Sequence, residues 1–114
     1  MTKQEDLIRV NFLLKQIALI QNDLAGKSLE DFQKSDLLAR ATAFSLMQIG
    51  EQMNKLEKTF KDLYPELPWR DARDMRNIIA HVYSKVDAAQ VYSTAKQDLD
   101  ILKEYFEKIR NDII

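Results

Sequence analysis

The sequence predicts an all-α fold, an antiparallel four-helix bundle with a short extra helical turn, on three observations. Apolar residues recur at steps of three and four rather than two, which is the helical period. Only two glycines and two prolines interrupt the 114 residues. The links between the periodic stretches are short, and short links make neighbouring helices antiparallel. With no Gly/Pro-rich linker and no repeat, the chain reads as a single domain over residues 1–114, long enough for one core and small for two.

The first helix is expected from about Lys3 to Ala25, with Val10, Leu13, Leu14, Ile17, Ile20 and Leu24 on its buried stripe and Gly26 as its C-terminal stop. Ser28 resembles an N-cap for the extra turn, Leu29 to Phe32. The longest helix runs from about Asp36 to Leu63, with Leu46, Ile49, Met53, Leu56, Phe60 and Leu63 at steps of three and four. It ends before Pro65. Gly50 lies inside it, where glycine costs about 1 kcal/mol against alanine, so either close packing or a functional group that needs space keeps it there.

Tyr64-Pro65-Glu66-Leu67-Pro68-Trp69 is a rigid connector, because each proline disfavours helix in the residue before it and Pro68 suits a first helical turn. A third helix follows over Trp69 to Ser84, with Ala72, Met75, Ile79 and Val82 as its structural face. Asp87 with Gln90 resembles a capping box that opens the fourth, whose core face is Val91, Ala95, Leu99, Leu102, Phe106 and Ile109. Trp69, Tyr92 and Tyr105 suit packing with polar ends in water, and the four methionines suit gap filling.

The formal net charge of −1 excludes a protein that coats nucleic acid by bulk electrostatics. The absence of cysteine excludes disulfides and thiolate metal sites and fits a reducing cytoplasm. The polar start Met1-Thr2-Lys3-Gln4-Glu5-Asp6 lacks a signal peptide's features, and no apolar run approaches the ~18 residues of a membrane span, so a cytoplasmic protein without membrane attachment is expected. The Glu-x-x-His pairs of di-iron bundles are ruled out because Ile78 stands three residues before the one histidine, and no metal and no cofactor is expected. No phosphate-cradling glycine loop and no serine or cysteine nucleophile arrangement is recognisable.

Chemistry concentrates at Arg76-Asn77-Ile78-Ile79-Ala80-His81-Val82-Tyr83. Histidine, with an unperturbed pKa of about 6.5, both takes and gives protons near neutrality, and arginine holds phosphate through paired hydrogen bonds. The set suits metal-free phosphodiester cleavage. At ~100° per residue Asn77 and His81 lie about 40° apart and Arg76 and Tyr83 about 20° apart, whereas Arg76 and His81 are roughly 140° apart. Those two converge on one phosphate only if the arginine bends round, the helix distorts or a second chain contributes. Around them Arg70, Arg73, Arg76 and Lys85 outnumber Asp71 and Asp74 by two. That excess is either a solvated face with pairs such as Arg70 to Asp74 or a patch facing phosphate, and Glu51, following Gly50, is placed to reach a partner.

These landmarks resemble, in order and spacing, those of the HEPN superfamily, specifically the HepT-like toxins once described as nucleotidyltransferase substrate-binding proteins. The landmarks are Ile49-Gly50-Glu51, the Pro-x-x-Pro-Trp connector, Arg76-Asn77, His81-x-Tyr83, Val86-Asp87 and Val91-Tyr92, and they cover nearly the whole chain. The resemblance implies a homodimeric, metal-independent endoribonuclease toxin with Arg76, Asn77 and His81 catalytic at the dimer cleft. It also implies a nucleotidyltransferase antitoxin as partner, which adenylylates the tyrosine at Tyr83. Glu51, Arg70, Arg73 and Lys85 would be supporting or RNA-contacting residues, and no DNA is expected as a partner. Asp74-Met75 departs from the glycine and apolar residue that many relatives carry there.

Cleavage of RNA through its own 2′-hydroxyl needs a base for that proton, an acid for the leaving 5′-oxygen, and positive charge at the phosphorane. One histidine cannot easily fill both proton roles at once, and a dimer supplies two. The competing reading is a non-catalytic binding module that presents a nucleotide or substrate to a separate nucleotidyltransferase. A purely structural dimerisation bundle would leave the Arg-Asn to His-x-Tyr constellation without a role.

Overall fold

A computed structural model describes residues 2–74 and 87–114, and every regular element among them is helical. Helix α1 spans Lys3–Asp23, α2 Leu29–Lys34 and α3 Asp36–Phe60. Helix α4 opens at residue 69 and is described to residue 74. Helix α5 spans Ala88–Ser93, a π turn follows over Thr94–Asp98, and α6 spans Leu99–Ile113. No described helix is long and apolar enough to cross a membrane.

Each boundary has a local cause. Thr2 caps α1 by accepting from the Glu5 amide at 3.1 Å. The helix stops two residues short of the expected Ala25, with Leu24 as its C-cap, because the chain then turns through Gly26 at φ 72, a left-handed conformation that costs glycine nothing. Ser28 and Asp31 form a reciprocal capping box at α2, each side chain bonding the other's amide at 3.0–3.1 Å. Ser35 caps α3 through the Leu38 amide.

Helix α1 lies antiparallel between α3 and α6. Near its start Arg9 donates to Gln52 of α3 at 3.2 Å, and near its end Gln21 donates to Asp100 of α6 at 2.8 Å. The buried stripes Val10, Leu13, Ile17 and Ile20 of α1, Leu46, Ile49, Met53 and Leu56 of α3, and Leu99, Leu102, Phe106 and Ile109 of α6 close into one cluster. Leu14, expected on that stripe, is half-buried at its margin.

Three expectations need correction. Helix α3 ends at Phe60 rather than Leu63, and Leu63 is 70% exposed: the turn that follows Phe60 rotates it away from the core face. The last helix is not continuous. The π turn at Thr94–Asp98 divides it, and Gln90 does not complete a capping box; Asp87 caps the Ala89 amide while the Gln90 amide group turns to Thr94.

The π turn has a structural consequence. Its Lys96 Nζ donates to the Leu24 carbonyl at 2.8 Å, at the C-terminus of α1, whose last turn contains no basic residue of its own. A cation there complements the negative end of the helix dipole. Lys96 also lies 5.9 Å from the centre of the Tyr92 ring, and the Tyr92 hydroxyl donates to the Lys27 carbonyl at 2.5 Å.

Candidate functional site

The connector before α4 is held by its own aromatic residues. Trp69 is buried, its Nε1 donates to the Tyr64 carbonyl at 2.9 Å, and its ring stands edge-on to Phe106 at 6.1 Å. The Tyr64 hydroxyl in turn donates to the Asp112 carboxylate of α6. Pro68, at the start of α4, lends its carbonyl to the Ala72 amide at 3.0 Å, which begins the helical bonding. The connector thus fixes the position and direction of α4 over its described residues, 69–74.

Of the residues singled out from the sequence, Glu51, Arg70 and Arg73 lie within the described structure. Arg76, Asn77, His81, Tyr83 and Lys85 lie outside the described residues, as do Met75, Ile79 and Val82 of the expected structural face. Arg73 reaches across to α3 and donates to Glu57 at 3.1 Å, the acid being the more buried partner. That bond straps α4 to α3 and occupies one edge of the guanidinium.

Arg70 makes no ion pair among the described residues, so the pairing with Asp74 considered from spacing is not formed. It is exposed and, with Lys61 and Arg73, lines a groove of about 390 Å³ beside Trp69, Pro65 and Pro68. Lys61, which the sequence places inside the long helix, lies in the turn after α3.

Glu51 is half-buried on α3, directly after buried Gly50. Gly50 forms part of the floor of a cleft of about 480 Å³, with Leu46 and Met53 of α3, Ala72 of α4 and Leu102 of α6 also among its described lining. In chemical terms the described part of the site supplies cations at the approach to α4 and a carboxylate on the facing helix.

The sequence profile of the Ribonuclease HepT-like family matches residues 13–109. The chain is 35% identical over 98 residues to "Probable ribonuclease HepT" of Thermococcus cleftensis, covering 86% of this chain and 89% of that protein. It is 32% identical over 101 residues to "Putative RNase MJ1216" of Methanocaldococcus jannaschii, covering 89% of this chain and 84% of the relative. It is also 31% identical over 106 residues, 93% of this chain, to "Gamma-glutamylcyclotransferase and putative RNase MJ0434" of the same organism, of which it spans 48%. No solved structure gives a significant match.

Proposed function

Because the chain belongs to the ribonuclease HepT-like family, we propose that it is a metal-independent endoribonuclease, the toxin of a toxin and antitoxin pair acting in the cytoplasm. The observation that carries this reading is that the family match spans the segment from Arg76-Asn77 to His81-x-Tyr83. This is the one place where the chain groups a guanidinium, an amide, an imidazole and a phenol.

In this reading Arg76 holds the scissile phosphate and stabilises the phosphorane, Asn77 donates an orienting hydrogen bond, and His81 moves the proton. A homodimer brings two copies of His81 to one cleft, so that one imidazole removes the 2′-hydroxyl proton while the other protonates the leaving 5′-oxygen. Proton transfer of this kind contributes roughly 10²- to 10⁴-fold, and preorganised positive charge can contribute as much again. Arg70 and Lys85 contact flanking phosphates, Arg73 adds its remaining donors, and Glu51 supports the site from α3.

The partner is a nucleotidyltransferase that adenylylates Tyr83. The tyrosine oxygen attacks the α-phosphate of ATP and pyrophosphate leaves, placing a negative charge and an adenine beside Arg76. Charge neutralisation and occupancy then keep RNA out.

Growth of cells expressing the chain tests both halves. Expressed alone it should arrest growth, with Arg76→Ala and His81→Ala harmless. Co-expression of the cognate nucleotidyltransferase should restore growth, and Tyr83→Phe should stay toxic in its presence. A chain that is harmless at full expression sinks the toxin reading in favour of a non-catalytic binding partner; rescue of Tyr83→Phe sinks the adenylylation step.

A further inference from the structure

The connector that braces α4 also builds a groove with two kinds of lining. Pro65 and Pro68 are exposed, while Leu67 and Trp69 beside them are buried. All four line the space of about 390 Å³ between the end of α3 and the start of α4. Each proline ring fixes its own φ, and Trp69 is tied to the Tyr64 carbonyl, so this apolar wall is set before any ligand arrives.

The charged lining is unevenly committed. Arg73 is held by Glu57 at 3.1 Å. Lys61 and Arg70 are exposed, and neither side chain has a hydrogen-bond or ion-pair partner among the described residues. The remaining carboxylate, Asp71, also lines the neighbouring cleft, so it stands on the ridge between the two. Three cations against two carboxylates leave one positive charge in the described lining. No imidazole belongs to that lining, so the groove is equipped to hold a ligand rather than to move its protons.

We propose that this groove holds one nucleotide of an RNA strand outside the scissile bond, with its phosphodiester on Lys61 and Arg70 and its sugar and base against the rings of Pro65 and Pro68. This adds Lys61 and the proline wall to the flanking-phosphate role given to Arg70. Three observations favour a strand. The volume lies at the lower end of the roughly 300–1,000 Å³ of small-molecule sites, which suits a single nucleotide and not a run of them. The pairing of free cations with apolar rings matches a phosphate joined to a sugar and a base, whereas a bare phosphate would leave the rings unused. The single excess positive charge matches the single negative charge of a phosphodiester; a free terminal phosphate carries about −1.5 to −2 near neutrality. The assignment to RNA rests on the ribonuclease reading above, but its test measures binding and not cleavage.

The probe is a fluorescent RNA of about 12 nucleotides with every 2′-hydroxyl methylated, which lacks the nucleophile for cleavage. Its anisotropy is followed with the full chain across roughly 50 to 200 mM salt. Lys61→Ala and Arg70→Ala should each weaken binding roughly 5-fold, and the double variant should flatten the slope of log K against log salt by about 0.7, one phosphate's contribution on a single strand. Lys34→Ala removes the same charge beyond the other end of the 25-residue α3, roughly 35 Å away, and should leave that slope unchanged. All three side chains are exposed, so helical circular dichroism and melting should match the wild type.

A wild type that does not bind the probe, a double variant with wild-type affinity and slope, or a Lys34→Ala variant as impaired as the double overturns the proposal. Binding of AMP that Lys61→Ala abolishes, without binding of the RNA, would make this a free-nucleotide site and overturns it as well. Binding in the expected pattern by a wild type that leaves unmethylated RNA uncut supports the groove and sinks the ribonuclease reading. Cleavage by a wild type whose binding ignores Lys61 and Arg70 sinks the groove and leaves that reading intact.

Discussion

Trp69 shows how a single side chain sets the approach to the site. Its indole is buried against Phe106, and its Nε1 proton goes to the Tyr64 carbonyl, which also accepts from the Leu67 amide at 3.2 Å. Trp69→Phe removes a donor but leaves that carbonyl one partner, so the cost is limited to one net hydrogen bond and some lost packing, about 1–2 kcal/mol by urea unfolding. A loss near zero would mean that the connector does not depend on this bond. At this scale the sequence was legible where geometry is local. Trp69 as a packing residue and the Ser28 cap follow from neighbours a few positions away, whereas the polar end of Trp69, expected in water, is buried on the Tyr64 carbonyl. Arg73 was not legible, because its partner, Glu57, lies on another helix and no spacing along one helix reports it.

At the scale of elements, the six-residue α2 depends on its capping box. The Ser28 amide and then its hydroxyl hold the Asp31 carboxyl below its ordinary pKa. A carboxyl whose folded value is lowered stabilises the fold fully above its unfolded value, about 3.9, and the contribution is lost as pH falls through the folded value. Asp31→Asn should therefore flatten the acid limb of the stability profile below about pH 4 while changing its slope little at neutral pH, measured as urea midpoints across that range. An unchanged acid limb would contradict the role given to the box. The π turn was not visible in the sequence, since the apolar positions Val91, Ala95 and Leu99 at steps of four suit an unbroken helix equally well. What favours the turn is tertiary: it aims Lys96 at the end of α1.

At the scale of the whole molecule, the all-helical architecture and its core followed from periodicity and punctuation, because both are properties of the chain itself. The chemistry of the site followed from residue types and family resemblance, with Arg76, Asn77, His81 and Tyr83 outside the described residues and their roles resting on the proposal. The described frame fits that proposal: a braced connector delivers α4, Arg73 straps it to α3, and Arg70 and Lys61 stand at its approach. The most direct test is cleavage of a labelled RNA by the purified protein in excess chelator, wild type against His81→Ala. The wild type should cut without metal, and the variant should lose at least about 100-fold in rate while retaining its helical content. Equal cleavage by the two proteins, or none by the wild type, would contradict a ribonuclease built on that imidazole.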